Sequence, residues 1–182
     1  MSGPPRNATV LNTTVLSNFA HVGRVELLFD LPQVATVEAV QRELDDGTET
    51  HPYLTNAVAA LKNEIPVVSS SDEAAQIEET LLETLDPGEA QALAVADVAD
   101  GVLVTDDGDA RRTAKCRGVS MTGSIGLLVR FIRCGHTRRR TRRRDPAAPP
   151  TPTYARRARA RRPASPRRRG GSPRPARALR TR

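Results

Sequence analysis

Apolar positions along the first 134 residues follow two rhythms. Short continuous runs occur at Thr9-Val10-Leu11, "PQVAT" (32–36), "IPVVS" (65–69), "GVLVT" (101–105) and "VSM" (119–121). Runs of that length bounded by turn residues predict buried strands, with "GVLVT" the best of them. Between them apolar residues recur at helical spacing. Val37, Val40 and Leu44 form one such set, and Leu54, Ala57, Val58 and Leu61 a second. Ala74, Ile77, Leu81 and Leu85 form a third, and Ile125, Leu128, Val129 and Ile132 a fourth. Each set predicts a helix with one apolar stripe. "TVLSNFAHVG" predicts a further helix stopped by Gly23, and "RVELLFDL" a short helical piece.

Local signals set the boundaries. Asp46-Gly47 and Gly118 end helices; the serines and acids of "SSSDE" begin one; Asp86-Pro87 supplies an N-cap and a proline at the first helical position of 87–98. A helix is expected over 109–117, and Thr122 before Gly123 reads as the N-cap of a last helix over about 123–133. Pro66 suits the third strand to a sheet edge. Strands alternating with helices are the α/β signature.

From Gly135 both rhythms stop. "HTRRRTRRRDPAAPPTPTYARRARARRPASPRRRGGSPRPARALRTR" has no helical or strand period and contains eight prolines. Such a segment cannot build a core, so residues 136–182 are expected to be a disordered tail beside a domain at 1–135. Two origins stay open. One is a nucleic-acid-binding arm. The other is a GC-rich gene read in a shifted frame, since the segment takes its positive charge from arginine alone.

Charge sharpens the division. Residues 1–134 carry 10 Lys and Arg against 20 Asp and Glu, a net of −10. Residues 135–182 carry 18 Arg and one Asp, a net of +17. The overall +7 therefore describes neither part. Cys116 and Cys134 form no C-x-x-C and no zinc spacing, and are expected as small apolar residues in a reduced interior. His21, His51 and His136 share no site-like spacing. No run approaches the roughly 20 apolar residues of a spanning helix, and the start "MSGPPRNATV" lacks the apolar region of a secretory signal. A cytoplasmic protein is the expectation.

Carboxylates stand where an α/β fold would gather them. Glu43 lies late in "VEAVQREL", Glu89 in the first turn of "DPGEAQALAVA", and Asp106-Asp107 directly after "GVLVT", with Asp109 close behind. Clustered carboxylates repel unless cations balance them, and hard oxygen donors suit Mg²⁺ or Mn²⁺. Each acid alone is more often a solvated helix end. Asn12, at the end of the first strand, is an amide in the same kind of position. Arg111 and Arg112 could hold phosphates or pair with nearby acids, and Thr13 and Thr14 could cap a helix or touch a phosphate.

The order strand–"NTTVLSNFA", "VEAVQREL", "LDPGEAQALAVA", "GVLVTDDGDARRTAKCRGVSMTGSIGLLVRF" resembles the PIN-domain family over about residues 8–134. It is most similar to the branch with a D-T-S/T-V-L-S-N start, a G-E-A helix and T-D-D-x-x-A-R followed by G-x-x-x-T-G. The resemblance implies a three-layer α/β/α sandwich with a central parallel sheet. It implies an Mg²⁺- or Mn²⁺-dependent ribonuclease, many relatives being the toxin of a toxin–antitoxin pair. RNA, a cognate antitoxin protein and a second copy of the chain are the partners it suggests. By motif, the metal positions are Asn12, Glu43, Glu89 and Asp106, with Asp107 as neighbour or substitute, and Glu43, Glu89 and Asp106 are the catalytic acids. Asn12 departs from the family's first aspartate. It keeps a carbonyl ligand but removes a negative charge, which lowers metal affinity and leaves a catalytically impaired binding module as the alternative.

Overall fold

The structure is a computed structural model that describes residues 4–134. The expected tail at 136–182 lies outside the described residues.

Five parallel strands form one sheet. They are β1 (Thr9–Leu11), β2 (Val34–Val37), β3 (Val67–Val68), β4 (Val102–Val104) and β5 (Ser120–Thr122), in the order β3-β2-β1-β4-β5. β1 runs beside β2 with Thr9 opposite Val34, and beside β4 with Val10 opposite Leu103. β3 is an edge strand, where Pro66 removes no hydrogen bond the sheet needs. The chain winds outward from β1 through β2 to β3, then returns to lay β4 on β1's other side. The junction between β1 and β4 is therefore the topological switch point, whose carboxyl end is where open parallel sheets place ligands.

Among the described residues seven helices flank the sheet: α1 (Thr13–His21), α2 (Glu38–Gly47), α3 (Thr55–Asn63), α4 (Asp72–Leu81), α5 (Pro87–Val98), α6 (Gly108–Arg117) and α7 (Ser124–Arg133). "RVELLFDL" forms a 3-10 turn over Val25–Asp30. The layered α/β sandwich agrees with the sequence expectation. Val37, Val40 and Leu44 are buried, as are Ala57 and Leu61 of α3. Ser71 caps α4 by accepting from Ala74 N at 3.2 Å. Gly118 ends α6 at φ +76°, a conformation that L side chains rarely adopt.

α5 is the central helix. Ala90, Ala92, Leu93, Ala94, Val95 and Ala96 are all at 0% exposure, so it is buried all round rather than on one stripe. Small side chains let it pack against α2, α4, α6 and three strands at once. Its one buried polar side chain, Gln91, accepts from Ala39 N at 2.7 Å and donates to Ser70 Oγ at 3.2 Å. The buried Gln91 amide thereby satisfies one N–H in the first turn of α2.

Three expectations are corrected. The face of α7 bearing Ile125, Leu128, Val129 and Ile132 is exposed; Leu127 and Phe131 are the residues it buries. Phe131 packs edge-on against Phe19 of α1 with ring centroids 6.3 Å apart, and that contact sets the helix's rotation. Cys116 and Cys134 are exposed free thiols, not interior residues. Gly123, not Thr122, is the N-cap of α7, because Thr122 completes β5. Among the described residues no helix is long and apolar enough to cross a membrane.

Candidate active site

Asn12 ends β1 and opens α1. It is 1% exposed and extended, at φ −89° and ψ 164°, as an N-cap requires. Its Oδ1 accepts from Thr13 N at 2.6 Å, and its Nδ2 donates to Thr105 Oγ1 at 3.0 Å. Thr105 follows β4 and is itself fully buried, so this bond crosses the switch point. Asn12 N donates to Val104 O at 3.0 Å, which fixes the two strand ends together.

Thr13 and Thr14 then reach the acids. Thr13 Oγ1 donates to Glu43 Oε2, and Thr14 Oγ1 accepts from Asp106 N at 3.4 Å. The capping role expected of these threonines belongs to Asn12 instead. Glu43 is brought in by α2, whose other face carries Leu44 into the core. Glu43 Oε1 accepts from Gly88 N at 2.7 Å, in the first turn of α5. The helix dipole favours a carboxylate there. A Cβ at Gly88 would lie 2.5 Å from both Glu43 oxygens, so the end of the Glu43 side chain would have to leave Gly88 N.

Glu89 is the next residue on α5. Its carboxyl is held above the ordinary glutamate range first by burial, then by the negative charges of Asp107, Asp86 and Glu43. Asp86's backbone hydrogen bond offsets part of this. Glu89 thus lies within the negative field of Asp107, Asp86 and Glu43.

The two aspartates after β4 have separate tasks. Asp107 caps α6: its Oδ1 accepts from Asp109 N and Ala110 N, both at 2.8 Å. Asp106 turns the other way, toward the first turn of α7. Its Oδ1 accepts from Ser124 N at 2.8 Å, and its Oδ2 accepts from Asn18 Nδ2 at 2.9 Å and Ser124 Oγ at 2.5 Å. A Cβ on Gly123 would lie 2.4 Å from Asp106 Oδ1, so this glycine too is fixed by close approach. Asp109 pairs with Arg112 on the surface of α6 and leaves the group. Arg111 donates to Thr105 O at 3.0 Å rather than to an acid.

All five sequence-derived positions thus sit around the carboxyl ends of β1 and β4 and the first turn of α5. The donor chemistry, carboxylate and amide oxygen, fits a hard divalent cation. Their spacing as folded does not complete a cage: among the described residues no three Asp, Glu, His or Cys side chains are grouped to hold an ion. Asn18, Gly88 and Gly123 stand in the sequence only as letters of the family motifs, with no role assigned, and Ser124 was not singled out. The motif letters alone did not show that Asn18 and Ser124 hold Asp106, which lies 88 and 18 residues away in the chain.

A family model described as DUF3368, PIN domain, matches residues 8–142. The chain belongs to the PIN-domain family. Solved structures share this fold at low identity. PAE2754 from Pyrobaculum aerophilum is 15% identical with a TM-score of 0.52, over 69% of this chain and 90% of that one. VapBC-1 from nontypeable Haemophilus influenzae is 12% identical with a TM-score of 0.50, over 65% of this chain and 98% of that one. No curated protein matches the sequence significantly.

Proposed function

We propose that the chain is a PIN-type ribonuclease that cuts single-stranded RNA, weakened by the amide at Asn12. The observation that supports this is the gathering of Glu43 on Gly88 N, Glu89 beside it on α5, and Asp107 at the end of β4, with Glu89 raised first by burial and then by Asp107, Asp86 and Glu43. A cluster of like charges costs stability in a fold unless a cation relieves it. In this reading Glu43, Glu89 and the Asn12 carbonyl, with Asp107 as the substitute for Asp106, would hold a Mg²⁺ or Mn²⁺ ion after drawing closer than they stand, since among the described residues no three acids are grouped to hold one. Asp106, the position the motif gives to the metal, instead holds α7 through Ser124. Bound there, the ion supplies an activated water and charge stabilisation for the departing oxygen.

The protein's own groups position the rest. The first turn of α5 orients Glu43 through Gly88 N, and Thr13 fixes its second oxygen. With Asp replaced by Asn12 the set has one charge fewer, so metal affinity is low. A toxin role with a cognate antitoxin in the cytoplasm belongs to the same reading and rests on the motif resemblance. The arginine-rich residues 135–182 supply a non-specific, salt-sensitive attraction to RNA that the net −10 of residues 1–134 opposes.

The test is cleavage of a single-stranded RNA with millimolar Mg²⁺ or Mn²⁺ and with chelator. Metal-dependent cleavage that is lost in Glu43→Gln and Asp107→Asn supports the reading. Equal products with chelator and with both variants would assign the cleavage to something else.

A further inference from the structure

Three aromatic rings meet where a short 3-10 turn, Pro52–Leu54, lies against α1. The rings of His21 and Tyr53 stand perpendicular, with centroids 4.8 Å apart at 86°. His51 lies beside Tyr53 at 5.6 Å, tilted by 39°. Both imidazoles are exposed, and Tyr53 is half-buried with its hydroxyl 3.5 Å from Ser17 Oγ. In a perpendicular pair the edge of one ring meets a single face of the other, so flat aromatic surface stays open. The phenylalanines lie elsewhere: Phe19 and Phe131 are in the core, and Phe29 packs against it. Among the described residues this is therefore the one aromatic group with rings exposed to solvent.

α1 ties the rings to the acid site. Thr13, Ser17 and His21 recur every four residues and share one face of that helix. Thr13 binds Glu43, Ser17 meets the Tyr53 hydroxyl, and His21 packs on the Tyr53 ring. At a rise of ~1.5 Å per residue, Ser17 and His21 stand about 6 and 12 Å along α1 from Thr13. That is a few nucleotides of a single strand, at the ~3.4 Å rise per strand of stacked bases.

Stacking suits a surface of this charge. Residues 1–134 carry a net of −10 and repel phosphates. A base presents a flat face whatever its identity, and stacking it on Tyr or His requires no positive charge. Core packing accounts for part of Tyr53, whose ring leans on buried apolar residues. It does not account for His21 and His51. Their ring nitrogens bond to no other described residue, and neither has an acid within ion-pair distance among the described residues.

We propose that His21, Tyr53 and His51 form a stacking platform for an unpaired base of an RNA strand whose backbone passes the acid set. The proposal rests on the ribonuclease reading for its ligand class. The platform holds the strand beside the site through a base, where the acidic body cannot hold it through phosphates.

The probe is oligoadenylate, with an abasic oligomer of the same length as control. Both are used with chelator and in raised salt, where attraction to the arginine-rich residues fades. In the full chain carrying Tyr154→Phe, Tyr53 is the sole tyrosine, and the chain has no tryptophan. Its fluorescence, corrected for adenine absorption with free tyrosine amide, should be quenched saturably by oligoadenylate and left unchanged by the abasic oligomer. Anisotropy of labelled oligoadenylate should show binding about tenfold weaker in Tyr53→Leu. His21→Ala, which removes an exposed ring without touching the core, should weaken it less and keep the parent's melting temperature. Tyr53→Phe, which keeps the ring and drops the hydroxyl, should bind as the parent does. Absence of quenching overturns the proposal, as does equal quenching by the abasic oligomer. Parent affinity in both Tyr53→Leu and His21→Ala overturns it too. Cleavage of the same oligoadenylate is then read with Mn²⁺ in place of chelator. Cleavage without quenching removes the platform and keeps the ribonuclease reading. Saturable quenching without cleavage keeps the platform and removes the ribonuclease reading.

Discussion

Asn12 donates its side-chain amide to Thr105 Oγ1 at 3.0 Å, joining the ends of β1 and β4. An aspartate has no hydrogen to give at that point. Thr105 Oγ1 already accepts from Asp107 N at 3.1 Å, and its own hydroxyl hydrogen can turn toward an introduced carboxylate. The fold is therefore able to hold either residue at position 12. What changes between them is charge in a pocket whose neighbours are acids.

Gly88 should resist substitution although it lies in a helix. Helix propensity alone favours alanine there by about 1 kcal/mol. The added Cβ would lie 2.5 Å from Glu43 Oε1 and Oε2 and push the carboxylate off Gly88 N. Gly88→Ala should lose about 1–3 kcal/mol net, read as a lowered melting temperature. A variant more stable than the parent would mean that Glu43 is not seated on the first turn of α5.

Glu89 predicts a pH dependence. Its carboxyl is raised in the folded state by burial and by Asp107, Asp86 and Glu43. The folded chain thus binds the proton more tightly than the unfolded chain. The ionised form costs stability, and this cost sets in as pH rises through the ordinary glutamate value of 4.5 and is complete above the raised folded value. Without divalent ion, Glu89→Gln should be more stable at neutral pH by less than about 1 kcal/mol, the partial exposure screening the effect. The advantage should vanish at pH below 4.5, which paired urea melts along a pH series will show.

Asp106 should act as a clamp on α7. Replacing it by alanine removes acceptors for Ser124 N, Ser124 Oγ and Asn18 Nδ2. Asp106→Ala should cost about 1–2 kcal/mol and raise amide exchange over the first turn of α7 before the rest of the body. Ser124→Ala, which keeps the backbone N–H, should cost less. Uniform exchange across α7 and α1 in Asp106→Ala would show that the carboxylate does not hold this junction.

Much of the fold was legible because the core follows simple periods. Val37, Val40 and Leu44 repeat at helical spacing and are buried together; "GVLVT" is continuous and lies beside the central strand. α7 misled because it has apolar residues on both faces, and spacing alone cannot say which one Phe19 claims. The acids were legible as motifs, but their division of labour was not. Whether Asp106 or Asp107 faces Glu89 depends on which one caps α6, and Asp109 N with Ala110 N decides that in space. Glycines 88 and 123 stood in the motifs, but their packing role was hidden for a related reason. Their function is an empty volume, filled by carboxylates from α2 and the β4 end.

The central claim is that this is a PIN metal site one carboxylate short, and Mn²⁺ titration of the parent beside Asn12→Asp tests it most directly. Calorimetry gives the affinity, thermal melts with and without Mn²⁺ give the linked stability, and cleavage of single-stranded RNA is read on the same samples. A carboxylate introduced at a site 1% exposed, beside acids, should lower metal-free stability by about 1–3 kcal/mol. Mn²⁺ should reverse that order, because an ion that binds only the folded state stabilises it by mass action. Affinity should rise at least tenfold over the parent, RNA cleavage should rise with it, and Glu43→Gln in the Asn12→Asp background should abolish both. Equal Mn²⁺ affinity in parent and Asn12→Asp, with no gain in cleavage, would contradict the account.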